Sequence, residues 1–187
     1  MNNTRTMALR NQLLCALFAA LIAVGAFLRI PVPVVPFTLQ CLFTNLAGLL
    51  LGKRYGPIAV GVYIVLGLIG LPVFTGGGGI GYVLQPTFGY ILGFAGGAWL
   101  GGLIVEKSKT RGFKTMLLAG LANLAVVYAA GVVYYYCIAN FYLQSPIGIA
   151  ALLWSGVVLC LPGDLTLCVL AALLSKRLYP LLHRTAV

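Results

Sequence analysis

The sequence predicts an all-α integral membrane protein, a compact bundle of six transmembrane helices forming a single transmembrane domain over residues 1–187. Three observations predict it. Hydrophobic residues make up 61% of the chain and charged residues 7%, where soluble domains carry about 25% charged residues. That much apolar surface exceeds what one aqueous core buries, and a bilayer absorbs it. The apolar residues gather in runs near the roughly 20 residues that a spanning helix needs. The basic residues sit at the ends of these runs, almost all on one side.

Each element has its own signal. The chain starts polar, with Arg5 and Arg10, then turns apolar from Leu13 to Leu28. A signal peptide starts similarly, but no small-residue cleavage site with a polar segment behind it follows. A retained first span over residues 12–30 is therefore expected. The next segment, "IPVPVVPFTLQ", holds three prolines and predicts a stiff, extended connection. Spans two and three, residues 38–53 and 57–73, are short and joined through "GKRYGP". Pro57 there suits the first turn of a helix. Spans four and five cover residues 84–105 and 113–137. Residues 146–175 are too long for one simple span, and Pro162 interrupts them. A short helix over 147–160, a break, and a last span over 162–178 are expected.

Six spans place Arg5, Arg10, Lys53, Arg54, Lys107, Lys109, Arg111, Lys114, Lys176, Arg177 and Arg184 on one side, eleven of the twelve bases. Only Arg29 falls on the other. The positive-inside rule then puts the chain in the bacterial cytoplasmic membrane, multi-pass, with both termini cytoplasmic. Tyr134, Tyr135, Tyr136, Phe141 and Tyr142 fall at the outer interface, where aromatic rings prefer to sit. The excess of base serves topology, so the lipid bilayer is the expected partner and nucleic acid is not.

Few residues can carry chemistry. Cys15, Cys41, Cys137, Cys160 and Cys168 form no CxxC pair and read as small buried hydrophobes, so no metal site is expected. The outer loop "PVFTGGGGIGYVLQPTFGY" joins spans three and four. It holds no lysine and no GK[ST], which excludes a phosphate cradle of the P-loop kind. Asp164, in "CLPGDLTLC", is a carboxylate among apolar residues, which costs roughly 2.5–3.5 kcal/mol at the centre of a membrane helix. Two readings stand side by side: a helix cap favoured by the helix dipole, and an acceptor for ligand N–H groups in an outward pocket. Arg29 is either an interfacial anchor or a partner for an anionic substrate. Phe37, Thr38 and Gln40 offer an aromatic face and neutral hydrogen-bonding groups. Glu106, beside Lys107, and His183 read as solvated surface groups. No catalytic constellation is present, and an enzyme is not expected.

Small residues recur every four positions. Gly89, Gly93, Gly97 and Gly101 share one face of span four, and Gly48, Gly52 and Gly56 line span two. Such faces let helices approach closely. Ala16 with Ala20, and Ala19 with Ala23, give the first helix two alanine registers. Packing within the bundle and docking onto another subunit both fit them.

The motifs "ALFAALIAVGAF", "VPFTLQ" with "LAGLLLGKRYGP", "GLPVFTGGGGIGY" with "QPTFGYILGF", and "LPGDL" occur in this order in a known family. Over most of its length the chain resembles the BioY family, the biotin-specificity (S) components of energy-coupling-factor (ECF) transporters. The resemblance implies the six-helix S-component fold, high-affinity biotin binding and uptake, and a small loop that closes over the ligand. It implies docking onto a transmembrane coupling protein driven by two cytoplasmic ATPases, through an AxxxA face that Ala16, Ala20, Ala19 and Ala23 fit. It needs no cofactor; biotin is the transported ligand.

Carried onto this chain, the resemblance makes Asp164 the ligand-contacting acid. Tyr82, Gln85, Thr87 and Tyr90 are candidates for further contacts, with Asn123 and Tyr128 behind them. Gly76, Gly77, Gly78 and Gly79 are expected to let the outer loop approach the ligand. Two positions depart from the pattern: Leu167 stands where the family's "PGDLIK" has lysine, and Phe88 where "PTGGY" has glycine. Arg29 is a candidate to balance the Asp164 charge instead, and a pocket reshaped for another small vitamin or precursor is the alternative. A membrane enzyme or assembly factor using Asp164 is a third reading.

Overall fold

A computed structural model describes residues 2–30 and 35–183, with side chains over 7–30 and 35–182. Pro31, Pro33 and Arg184, and the side chains of Arg5 and His183, lie outside the described residues. Helix α1 (Asn2–Phe27) starts well before its apolar run. Strand β1 (Arg29–Ile30) pairs antiparallel with β2 (Phe37–Thr38) in a short ribbon. Then come α2 (Gln40–Leu68), a 3₁₀ turn (Ile80–Leu84), α3 (Phe88–Lys107) and α4 (Phe113–Cys137). Helix α4 runs on into a π-helical turn (Ile138–Tyr142). After α5 (Ile149–Leu153) and a second π turn (Trp154–Val158), α6 spans Leu161–His183. Among the described residues five helical stretches are long and apolar enough to cross a membrane: Met7–Phe27, Gln40–Leu68, Phe88–Lys107, Phe113–Tyr142 and Ile149–Leu182.

The residues read as spans two and three join into α2, but α2 is not straight. Gly52 has φ +76° and ψ −175°, outside the helical region. In a straight helix residues eight apart stand about 12 Å apart, at about 1.5 Å per residue. Here a Cβ added to Gly56 falls 2.9 Å from the Cα of Gly48. The chain therefore doubles back at Gly52, and the two legs of α2 touch through glycines. Glu106, at the end of α3, holds the reversal. Its carboxylate accepts the Lys53 N–H at 2.9 Å and pairs with Lys53 Nζ at 3.3 Å. The carboxylate read as merely solvated thus has a structural partner.

Helix α3 packs chiefly on α4 and α2, and the glycine ladder explains how. A Cβ added at Gly89 falls 2.2 Å from the Tyr134 side chain, and at Gly93 2.8 Å from the Val127 Cα. At Gly97 it falls 2.1 Å from Asn123 Oδ1, and at Gly101 3.2 Å from the Ala119 carbonyl. The ladder is the α3–α4 seam. Close backbone approach there gains dispersion contact where lipid offers no hydrophobic driving force between helices. Gly48, against Ala98, and Gly102, against Gly52, do the same between α2 and α3.

The two alanine registers of α1 separate. Ala19 is buried and Ala23 partly buried, whereas Ala16 and Ala20 are exposed among Leu13, Leu17 and Val24. Four of the five cysteines are buried, Cys137 is exposed, and all are free thiols. Phe141, 79% exposed, and Tyr142 stand out from the end of α4.

Candidate functional site

Segments far apart in sequence converge at the end of the bundle away from Lys53 and Glu106. The β1–β2 ribbon supplies Val35, Pro36, Phe37 and Thr38, and the start of α2 supplies Gln40 and Cys41. The start of α3 supplies Tyr90, Ile91 and Phe94, and α4 supplies Leu124, Val127 and Tyr128. Asp164, from the first turn of α6, completes the wall. Together they line a concave space of about 590 Å³ that is partly open to solvent. The wall is mostly apolar and aromatic, with a few polar groups, as small-ligand sites are.

Asp164 is 8% exposed. Its carboxylate accepts the Tyr128 hydroxyl at 2.6 Å, across from α6 to α4. Burying a carboxylate is costly unless hydrogen bonds compensate, and Tyr128 supplies one while fixing the group's orientation. A carboxylate has about four lone-pair sites, so it can accept further N–H donors. Gly163 positions the ring beside it: a Cβ there falls 2.5 Å from the Phe37 ring. Without that Cβ, the Phe37 ring packs on the start of α6.

A second polar chain runs from the cavity wall into the core. Thr38 Oγ1 donates to Gln40 Oε1 at 3.2 Å, and Gln40 Nε2 donates to the Tyr63 hydroxyl at 2.6 Å. Tyr63 in turn donates to the Val73 carbonyl at 3.3 Å. Tyr90 donates to the Gly156 carbonyl at 3.3 Å, tying α3 to the π turn before α6. Gln40 and Thr38 therefore face the cavity in fixed orientations.

Of the residues singled out in the sequence, Phe37, Thr38, Gln40, Thr87, Tyr90, Tyr128 and Asp164 share this cavity. The others stand elsewhere. Arg29 donates to the Thr75 carbonyl at 2.5 Å, and Thr75 lies on the cavity wall. Tyr82 is buried with its ring 4.6 Å from that of Phe74. Gln85 is exposed on the loop between α2 and α3. Asn123 is buried in the α3–α4 seam. Gly76 to Gly79 shape the loop itself. Phe74 and Gly77 exchange backbone hydrogen bonds of 2.9 and 3.1 Å, and the Gly79 N–H bonds to the Gly67 carbonyl at 2.7 Å. Gly77 and Gly79 have φ of +118° and +104°, open to glycine without a steric penalty. The glycines fold the loop onto the end of α2 and leave Thr75 on the cavity wall. Tyr63, Phe94 and Ile91 were not singled out from sequence, and Cys160 was read only as a small buried hydrophobe. Phe94 follows Tyr90 by four positions on one helix face, a signal that was legible; Ile91 and Tyr63 carry none.

The model of the BioY family matches residues 1–184. The chain belongs to the BioY family. It is 47% identical to the probable biotin transporter BioY of Lysinibacillus sphaericus over 88% of this chain and 84% of that one. It is 39% identical to the biotin transporter BioY of Thermotoga maritima over 91% and 96%. It superposes on a crystal structure of the S-component for biotin from an ECF-type ABC transporter with a TM-score of 0.79. That match has 30% identity and covers 95% of this chain and 94% of the other.

Within the BioY pattern, the two departures have structural accounts. Leu167 is buried in the apolar core beside Cys41, Leu124 and Cys168, one turn below Asp164. Phe88 is buried behind the cavity, its ring against those of Phe74, Tyr82 and Tyr134. It adds bulk to the core and not to the cavity wall.

Proposed function

We propose that this chain is the substrate-specificity component of an ECF-type transporter and binds biotin for uptake. The observation that carries the reading is the buried Asp164–Tyr128 pair on the wall of an otherwise apolar cavity. Biotin's ureido ring offers two N–H donors and one carbonyl acceptor. The Asp164 carboxylate accepts the donors, and the Thr38 hydroxyl and Gln40 amide, which line the same cavity, serve the rest of the ring. Phe37, Tyr90 and Phe94 pack on the bicyclic ring. Arg29, held at the Thr75 carbonyl, meets the valerate carboxylate at the mouth, and Thr87 and Gln85 lie along the same approach. Gly76 to Gly79 act by holding this loop in place, and Tyr82 and Asn123 by packing behind the wall.

The same reading extends to topology. Two legs of α2, reversed at Gly52, give six crossings in one transmembrane domain spanning the chain. Both termini and eleven of the twelve bases then face the cytoplasm. The exposed Ala16 and Ala20 register docks the transmembrane coupling protein, and two cytoplasmic ATPases supply the energy. The buried Ala19 and partly buried Ala23 hold α1 on the bundle.

Titration calorimetry of biotin into detergent-purified protein, beside Asp164→Asn, tests this. Tight binding to the wild type that is lost in a folded variant is expected. A folded wild type that ignores biotin and binds another vitamin sinks the biotin assignment. Retained binding in the variant moves the anchor away from Asp164.

A further inference from the structure

Tyr63 is fully buried on the second leg of α2 and stands behind the cavity lining. Its ring packs edge-on against Phe74, with centroids 5.4 Å apart. A phenylalanine would fill the same space, so packing does not account for the hydroxyl. That hydroxyl is the middle of a relay: Gln40 Nε2 donates to it at 2.6 Å, and it donates to the Val73 carbonyl at 3.3 Å.

The relay has a direction. A carbonyl oxygen only accepts, and a tyrosine hydroxyl has one proton to give. With that proton on Val73, the hydroxyl oxygen can only accept from Gln40. The amide nitrogen must therefore face Tyr63, and the amide oxygen faces Thr38, whose hydroxyl donates to it at 3.2 Å. A flipped amide would set two carbonyl oxygens, those of Gln40 and Val73, against one proton, and leave a buried acceptor without a donor. Val73 is itself held. Phe74, the next residue, exchanges backbone hydrogen bonds with Gly77 at 2.9 and 3.1 Å, so the glycine loop fixes the end of the relay. Of the two N–H groups and two oxygen lone pairs of the Gln40 amide, the relay uses one of each, and one N–H remains.

We infer that Tyr63 is a positioning residue for ligand selectivity: it fixes the Gln40 amide so that the remaining N–H meets the carbonyl of a cyclic urea. This role rests on the biotin reading above and names the group that meets the ureido oxygen. A ligand with an acceptor at that position is favoured. A ligand with a donor there sets N–H against N–H, and the amide cannot turn to receive it without breaking the relay.

The test compares binding of biotin and of 2-iminobiotin to the detergent-purified protein. The protonated ring of 2-iminobiotin carries an N–H donor where biotin has the carbonyl oxygen. The quantity read is the ratio of the two affinities. Tyr63→Phe keeps the ring beside Phe74 and frees the amide to turn. It is expected to lower the biotin preference by about fivefold, near the worth of one neutral hydrogen bond. Gln40→Met lowers the preference as well, and Tyr63→Phe added to Gln40→Met changes it no further. Melting temperatures verify that each variant folds. Equal weakening of both ligands by Tyr63→Phe overturns the proposal and leaves Tyr63 a packing role. An unchanged ratio overturns it too, as does a further shift in the Gln40→Met background. An unchanged ratio in Gln40→Met overturns it without recourse to the Tyr63 variant. A folded wild type that ignores biotin brings down the biotin reading and this role together, whereas the other adverse outcomes strike the role of Tyr63 alone.

Discussion

The two ends of the bundle handle polar groups in opposite ways. At the cavity end, polar side chains are buried and bonded to specific partners: Asp164 with Tyr128 at 2.6 Å, and Gln40 with Tyr63 at 2.6 Å. Their partners lie 36 and 23 residues away. At the base-rich end, charge is numerous and solvent-facing, and the Lys53–Glu106 pair is half-exposed. Buried pairs gain strength from a low local dielectric and are expensive to break. Exposed pairs are screened, and their individual worth is small. The cavity end therefore depends on individual atoms. The base-rich end depends on how many cations it carries, with one exception: the turn at Gly52.

The largest effect should come from Asp164. Asp164→Asn keeps the shape but removes the charge that strengthens its hydrogen bonds, typically about 1.5–3 kcal/mol. Biotin affinity should fall by about 10- to 150-fold, with little change in melting temperature, read by calorimetry and thermal unfolding. A loss confined to stability would make Asp164 a structural group.

Gly52→Ala comes next, and it probes the exception. The residue needs φ +76°, and a Cβ there falls 2.5 Å from Glu106 Oε1. Strain of this kind costs about 1–3 kcal/mol, seen as a lower melting temperature with the ligand affinity of the folded fraction preserved. An unchanged melting temperature would mean that the reversal at Gly52 is not under steric control.

Tyr128→Phe removes one hydrogen bond and leaves the ring. A loss near 1 kcal/mol predicts a drop in biotin affinity of about fivefold. Combining it with Asp164→Asn should give less than the product of the two effects, because the residues touch. Additive effects would show that Tyr128 does not act through Asp164.

The smallest effect belongs to the exposed pair. Lys53→Gln should change stability by no more than about 0.5 kcal/mol, since the Lys53 N–H to Glu106 bond survives. If it costs more than Tyr128→Phe, the contrast between the two ends is wrong.

Much of the fold was legible along the chain because each helix carries its own apolar run. The start of α4 at Phe113 and its end at Cys137 coincide with the apolar stretch and the basic residues before it. The glycine spacing marked a packing face, although not its partner; only the α3–α4 seam shows that Asn123, Val127 and Tyr134 meet it. Half the cavity was legible for a different reason. Asp164, Gln40 and Tyr90 are polar groups within apolar runs, and such groups stand out. Tyr63 looks like any other interfacial tyrosine, and Phe74 like any loop aromatic. The glycine run promised close approach to a ligand, but its backbone bonds go to Phe74 and Gly67.

The sequence by itself determined that this is a helical membrane protein, where its apolar runs lie, which ends are basic, and its family. Transfer into a bilayer is close to a sum over residues in a local window, so a linear reading captures it. The sequence parted two spans near "GKRYGP", but only the tertiary structure set the reversal at Gly52 and turned Ala19 inward while Ala16 turns out. The tertiary structure alone brought Tyr128 to Asp164. These outcomes depend on helix rotation, crossing and a single backbone dihedral pair. Each is set by contacts between segments that no local window contains.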